Sequence, residues 1–148
     1  MERVLAIVDS DSAVHERLLA QAGELAAGVG ADVLVLTVVD EDEFAGSIQR
    51  KASVGGGRSA DDVTEQARAT AETVAASVLE STDVDYEPAG LVGKIPDDIV
   101  AFADEHDCDH VFVVGRHRSP TGKAVFGDIA QSVVLNFDGP VTVLTDDG

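Results

Sequence analysis

Basic residues are scarce. Ten lysines and arginines stand against 28 aspartates and glutamates, for a formal net charge of −18. A broad cationic face for nucleic acid is excluded, because phosphate contacts need clustered positive charge. A polybasic membrane-binding surface is excluded on the same ground. Cysteine is almost absent: Cys108 is the single one, so the chain closes no internal disulfide and shows no metal-binding cysteine spacing. The four histidines, His15, His106, His110 and His117, are scattered and form no evident metal set. Long apolar runs are missing too. Stretches such as Val111–Val114 fall far short of the ~18 apolar residues that span a bilayer, so no membrane insertion is expected. Met1-Glu2-Arg3-Val4-Leu5 enters a strand-like run at once. It leaves no place for a charged and then apolar leader, and a cytoplasmic location is expected.

What is present is enough for a core. The chain has 148 residues, 45% of them hydrophobic, which fits one compact domain, residues 1–148. Its acidity is of a particular kind. Lysine occurs three times against seven arginines, and aspartate outnumbers glutamate 18 to 10. Surplus carboxylates with little lysine suit a proteome working in molar salt. There the Debye length is about 3 Å and self-repulsion is screened. The chain is read as the protein of a salt-in halophile.

Apolar runs alternate with helical patterns. Val4–Val8 and Val33–Val39 read as strands buried on both faces. Between them, Val14, Leu18, Leu19, Ala22, Leu25 and Ala26 recur at helical spacing after a Ser12 cap, with Gly28 and Gly30 ending the helix. A long polar stretch, Asp40 to Arg58, precedes a helix from Ser59 to Glu80 whose apolar face is Val63, Ala67, Val74 and Val78. Val84–Leu91 is a weaker strand, placed at an edge by Pro88. A helix follows over Ile95–His106, with Ile99, Val100 and Ala103 inward. Then come a strand from His110 to Val114, a helix ending at Asn136 and a last strand, Val141–Leu144. Strands separated by helices require a mostly parallel sheet with right-handed crossovers. The fold class is therefore α/β, a doubly wound, flavodoxin-like five-stranded sheet. Such sheets bind ligands beyond the carboxyl ends of their strands, at the switch in strand order.

Those ends carry Asp9, Asp40 and Gly115. After Gly115 runs Arg116-His117-Arg118-Ser119-Pro120-Thr121-Gly122-Lys123-Ala124-Val125-Phe126-Gly127-Asp128. Its glycines, hydroxyls and cations lead into a helix start, the composition of a loop that cradles phosphate. Six of the ten basic residues (Arg50, Lys51, Arg58, Arg116, Arg118 and Lys123) fall in the two loops after the second and fourth strands. Two readings stand: anion binding, or neutralisation of nearby carboxylates. A Walker A loop is excluded, because Ala124 follows Lys123.

At these residues the chain resembles the universal stress protein family, in its haloarchaeal form, over essentially its whole length. The resemblance rests on Val8-Asp9-Ser10, Gly93-Lys94-Ile95-Pro96-Asp97-Asp98-Ile99, Asp109 to Gly115, and Gly127 through Val143, in that order. It implies a Rossmann-like sheet of the adenine nucleotide alpha hydrolase type, strand order 3-2-1-4-5. The family's nucleotide-binding branch carries G-x2-G-x9-G-[ST] after the fourth strand. Gly115 and Gly127 match its first and last glycines. Arg118 replaces the middle glycine, eight residues rather than nine separate it from Gly127, and Asp128 stands at the hydroxyl position.

The resemblance implies a site for ATP or AMP, with Mg²⁺ as the companion of the phosphates. Asp9 would lie near the ribose or phosphates. Val38 would offer its backbone to the adenine and Val114 would line the same pocket. Gly115, Arg118, Gly127, Asp128 and Ile129 would surround the phosphates, with Gln131 and Ser132 further out. The residues keep a second reading. Asp9 and Asp128 are also natural helix caps, and a carboxylate at a helix start competes with phosphate. The family's homodimer through the last strand, Val141–Leu144, would cover an apolar edge. The alternative is a signalling or interaction protein without nucleotide, motivated by Arg118 and Asp128. No enzyme is expected, at most a weak ATPase, since neither a nucleophile with its base nor paired carboxylates are readable.

Overall fold

The computed structural model describes residues 2–9, 13–40, 60–94, 97–115 and 127–145. Nine elements alternate along them: β1 (Arg3–Ile7), α1 (Ala13–Val29), β2 (Asp32–Asp40), α2 (Ala60–Leu79), β3 (Tyr86–Gly93), α3 (Asp97–Glu105), β4 (His110–Gly115), α4 (Gly127–Asn136) and β5 (Val141–Thr145). The strands form one sheet in the order β3-β2-β1-β4-β5. All four pairings are parallel, so the sheet is wholly rather than mostly parallel. β1 lies at its centre, and Val4, Leu5 and Ala6 are fully buried, as a strand covered on both faces requires.

Alternation along the strands divides the core. Val4, Ala6, Val33, Val35 and Phe112 face α1 and α2, where Leu18, Leu19, Ala22, Ala26, Ala71, Val74 and Ala75 meet them. Leu5, Ile7, Leu34, Leu36, Val111 and Val113 face α3 and α4, against Ile99, Ala103, Ala130 and Val133. Each inner strand thus sends alternate residues into two separate cores, which is why its sequence is apolar nearly without a break.

Three local expectations are corrected. Gly28 does not end the first helix; it is helical and exposed. Gly30 ends it at φ +75°, and Ala31 N–H donates to the Ala26 carbonyl at 2.9 Å. That bond closes the helix end through a left-handed residue that glycine adopts without strain. The third strand runs two residues later than expected, over Tyr86–Gly93, with Val84 instead a buried residue of the first core. In α3, Ile99 and Ala103 point inward as expected, whereas Val100 is half-buried outside the cores and Phe102 packs in its stead. Pro88 does sit on an edge strand. The Ser12 and Ser59 caps lie outside the described residues, as does the Ile95–Pro96 start of the expected helix.

Candidate functional site

The carboxyl edge of the sheet opens between β1 and β4. Their ladder runs through Val4–His110 and Leu5–Val111 and stops at Ala6–Phe112, yet β4 continues to Gly115 beside β5. β1 meanwhile stays with β2 through Ile7–Leu36, and Val8 N–H donates to the Leu36 carbonyl at 2.8 Å. A trans peptide points its C=O and N–H in opposite directions. The Ile7 carbonyl therefore faces away from β2, into the gap beside β4. This gap is the switch point of a 3-2-1-4-5 sheet, where such folds take up ligands.

Asp9 leaves β1 at this gap and is exposed. Gly115 ends β4 and is buried. Val38 and Val114 are half-buried, but their side chains lie on opposite faces of the sheet, Val38 against the α3–α4 core and Val114 against the α1–α2 core. They cannot form one wall by side chain; only backbone at the strand ends is common to both. Ile129 packs half-buried against the α3–α4 core. Gly127 and Asp128 open α4. Arg118 lies outside the described residues, as do Arg50, Lys51, Arg58, Arg116 and Lys123. Of the outer pair, Gln131 is exposed, and half-buried Ser132 is engaged within its helix, its hydroxyl accepting from Asn136 Nδ2 at 3.2 Å.

Two polar residues of this region were not singled out by sequence reading. His15 stands half-buried in the first turn of α1. Burial pushes its imidazole below the ordinary histidine range, and Asp9 and the Ile7 backbone oppose that shift. Its Nδ1 is buried without a hydrogen-bond partner. Thr37, near the end of β2, is 4% exposed, and its hydroxyl oxygen is likewise buried and unpartnered. The available signal for His15 was its place six residues after Asp9, at the start of the helix that follows the first strand; Thr37 was hidden as a polar residue inside an apolar strand.

Other features lie outside the β1–β4 gap. A groove of about 670 Å³ runs between α1 and the β4–β5 surface, lined among others by Arg17, Gln21, Glu24, His110, Phe112 and Thr142. Its lining runs from His110 at the start of β4 to Leu144 near the end of β5. Burial pushes the Cys108 thiol up to about 11, with Arg3 opposing; it is a protonated core group at neutral pH, not an activated nucleophile. No group of histidine, cysteine and carboxylate side chains among the described residues could hold a metal ion. No helix among them is long and apolar enough to cross a membrane.

Comparison with known proteins gives a consistent result. Residues 1–145 match the sequence profile of the universal stress protein family. A universal stress protein from Archaeoglobus fulgidus is 32% identical, with 97% of this chain and 98% of that one covered and a TM-score of 0.72. A structure of the universal stress protein from Archaeoglobus fulgidus in complex with dAMP is 26% identical, covers 97% of both chains and has a TM-score of 0.68. A universal stress protein in complex with cAMP shares the fold at 20% identity, over 97% of this chain and 96% of that one, with a TM-score of 0.58. A search of curated proteins found no match.

Proposed function

The chain belongs to the universal stress protein family, and from that premise we propose that it is a single-domain stress-response module that binds an adenine nucleotide at the carboxyl edge of its sheet. The observation that carries this reading is the gap between β1 and β4, bounded by Asp9 and Gly115. The dAMP held by the Archaeoglobus fulgidus relative supports AMP or ATP as the ligand. Asp9, the strand-end backbone of Val38 and Val114, and Gly115 form the described part of this site. Arg118, Gly127, Asp128 and Ile129 complete it around the phosphates, with Mg²⁺ accompanying a triphosphate. The module is regulatory rather than enzymatic, with at most a slow ATPase activity.

Its functional form is a homodimer joined at β5. The strand is an edge strand whose Val141, Thr142, Val143 and Leu144 are each only half-buried. The adjoining α4 leaves Val134 51% and Leu135 72% exposed. An apolar edge of this kind needs cover. The setting is the cytoplasm of a salt-accumulating cell, which the excess of aspartate over lysine supports.

Isothermal titration with ATP, ADP and AMP in about 1 M KCl, where charge repulsion is screened, tests the site. Saturable heat with at least one nucleotide is expected. Folded protein giving neither heat nor thermal shift favours the second reading, an interaction module without nucleotide, which Asp128 at a helix start and Arg118 in place of glycine motivate. The variant Asp128→Ser then separates two causes of that silence. Affinity gained by the variant identifies the carboxylate as the block.

A further inference from the structure

We propose that the groove between α1 and the β4–β5 surface is a second ligand site, and that it takes a short apolar peptide with free ends. Arg17 holds the carboxylate of this zwitterion and Glu24 its ammonium group. The site is independent of the nucleotide reading above.

The groove exists because one patch of the sheet lacks a helix. On this face α1 packs on β1 and β4, and α2 packs on β2 and β3. The helices α3 and α4 belong to the other face. Among the described residues no further helix stands over β5 on the α1 side, and Thr142 and Leu144, which line the groove, are half-buried. The volume of about 670 Å³ lies in the range that holds small ligands. The floor is apolar, built on Leu18, Phe112 and Leu144.

The polar groups are ordered along this floor. Arg17, Gln21 and Glu24 line it from α1. Spacings of four and three residues set them on one side of the helix, and all three are exposed. None of them has an ion pair or side-chain hydrogen bond with another described residue. Arg68, by contrast, is held by Glu65 at 2.7 Å and Glu72 at 2.9 Å, as is natural in a chain with 28 acidic and ten basic residues. Helix α1 runs from the carboxyl end of β1 to the amino end of β2. Arg17 therefore stands toward the Leu144 end of the groove. Glu24 stands toward the other end, where His110 Nε2 lies 2.8 Å from Thr142 Oγ1. The two charges are about 10 Å apart along the helix axis, and three extended residues span about 10 Å. Gln21 between them offers the amide donor and acceptor that a peptide group matches. An anion is opposed by Glu24 and by the net charge of −18, and a cation by Arg17. A zwitterion aligned with the pair is opposed by neither.

The test is NMR titration of the full chain with the tripeptide alanyl-leucyl-alanine in three forms: free, acetylated at its amino end, and amidated at its carboxyl end. Native protein is compared with Arg17→Gln and Glu24→Gln, both at exposed helix positions. The free peptide should shift the signals of His110, Thr142 and Leu144. Each block should weaken binding to native protein by about fivefold, the upper end for a solvent-facing ion pair. Arg17→Gln should lose the sensitivity to amidation and keep that to acetylation. Glu24→Gln should do the reverse, a crossed pattern that general stickiness does not produce. Binding indifferent to both blocks, or equally sensitive in all three chains, overturns the proposal. So does silence of the groove signals with every peptide. Groove signals that follow protein concentration instead of peptide mark a second copy on this face, and overturn it as well. None of these results touches the nucleotide site, which calorimetry with nucleotide scores separately.

Discussion

The carboxylate of Asp109 accepts a hydrogen bond from the backbone N–H of Glu2 across 2.7 Å. It also accepts one from Arg3 N–H at 3.1 Å, while its own N–H donates to the Arg3 carbonyl at 2.8 Å. The start of the central strand is thereby fastened to the start of β4, at the end of the sheet opposite the ligand edge. These backbone donors hold the Asp109 carboxyl below the usual carboxylate range. A depressed carboxyl stabilises the fold above its unfolded value and loses that contribution as the pH falls through the folded one. Asp109→Asn should therefore melt at a lower temperature than the native chain at neutral pH. The difference should shrink below about pH 4, where the unfolded carboxyl also protonates. Thermal melts followed by circular dichroism across pH check both parts.

Gly90 is the point where α2 presses closest to β3. A Cβ there would collide with the Thr64 carbonyl oxygen and stand 2.7 Å from Arg68 N. Both are backbone atoms and cannot turn aside. Gly90→Ala should destabilise the fold by about 1–3 kcal/mol, the usual cost of overpacking. A lower denaturant midpoint with an unchanged slope would bear this out; an unchanged midpoint would mean that α2 can lift from β3 without cost.

His110 joins β4 to β5: its Nε2 lies 2.8 Å from Thr142 Oγ1, and its ring stacks on Phe112 at 4.7 Å between centroids. Burial pushes its imidazole below the ordinary value. The unfolded chain therefore takes up the proton first, and stability falls as the pH drops below about 6.5. His15 adds a loss of the same sign. His110→Phe should cost about 1 kcal/mol at neutral pH through the lost hydrogen bond, with the gap to the native chain narrowing below about pH 6. Parallel loss in both chains would assign the acid sensitivity elsewhere.

The net charge of −18 predicts a strong response to salt. Raising KCl from about 0.1 M to about 2 M shortens the Debye length from about 10 Å to under 3 Å and removes most self-repulsion. The melting temperature should rise steadily over that range. A flat profile would separate the acidity from any adaptation to salt.

Much of the architecture was legible in the residues because burial on both faces leaves a plain mark. Val4–Val8, Val33–Val39 and His110–Val114 are nearly unbroken apolar runs, and they became the three inner strands. The edges were read less closely. Val84 resembles a strand residue but is core packing ahead of β3, since a half-covered strand has no distinctive composition. Gly28 and Gly30 looked alike as helix ends, and only the backbone angle at Gly30 separated them.

The sequence by itself determined the alternation of strand and helix, the two-sided burial of the central strands and, through motif order, the family. Only the tertiary structure decided which groups meet at the ligand edge. Val38 and Val114 each sit near a strand end, yet their side chains fall on opposite faces, because facing depends on each strand's register in the sheet. The β1–β4 ladder stops at Ala6–Phe112, which leaves the Ile7 carbonyl turned to an open gap. Periodicity records what one segment buries. It carries no information on where a neighbouring ladder ends, and that is what opens the crevice.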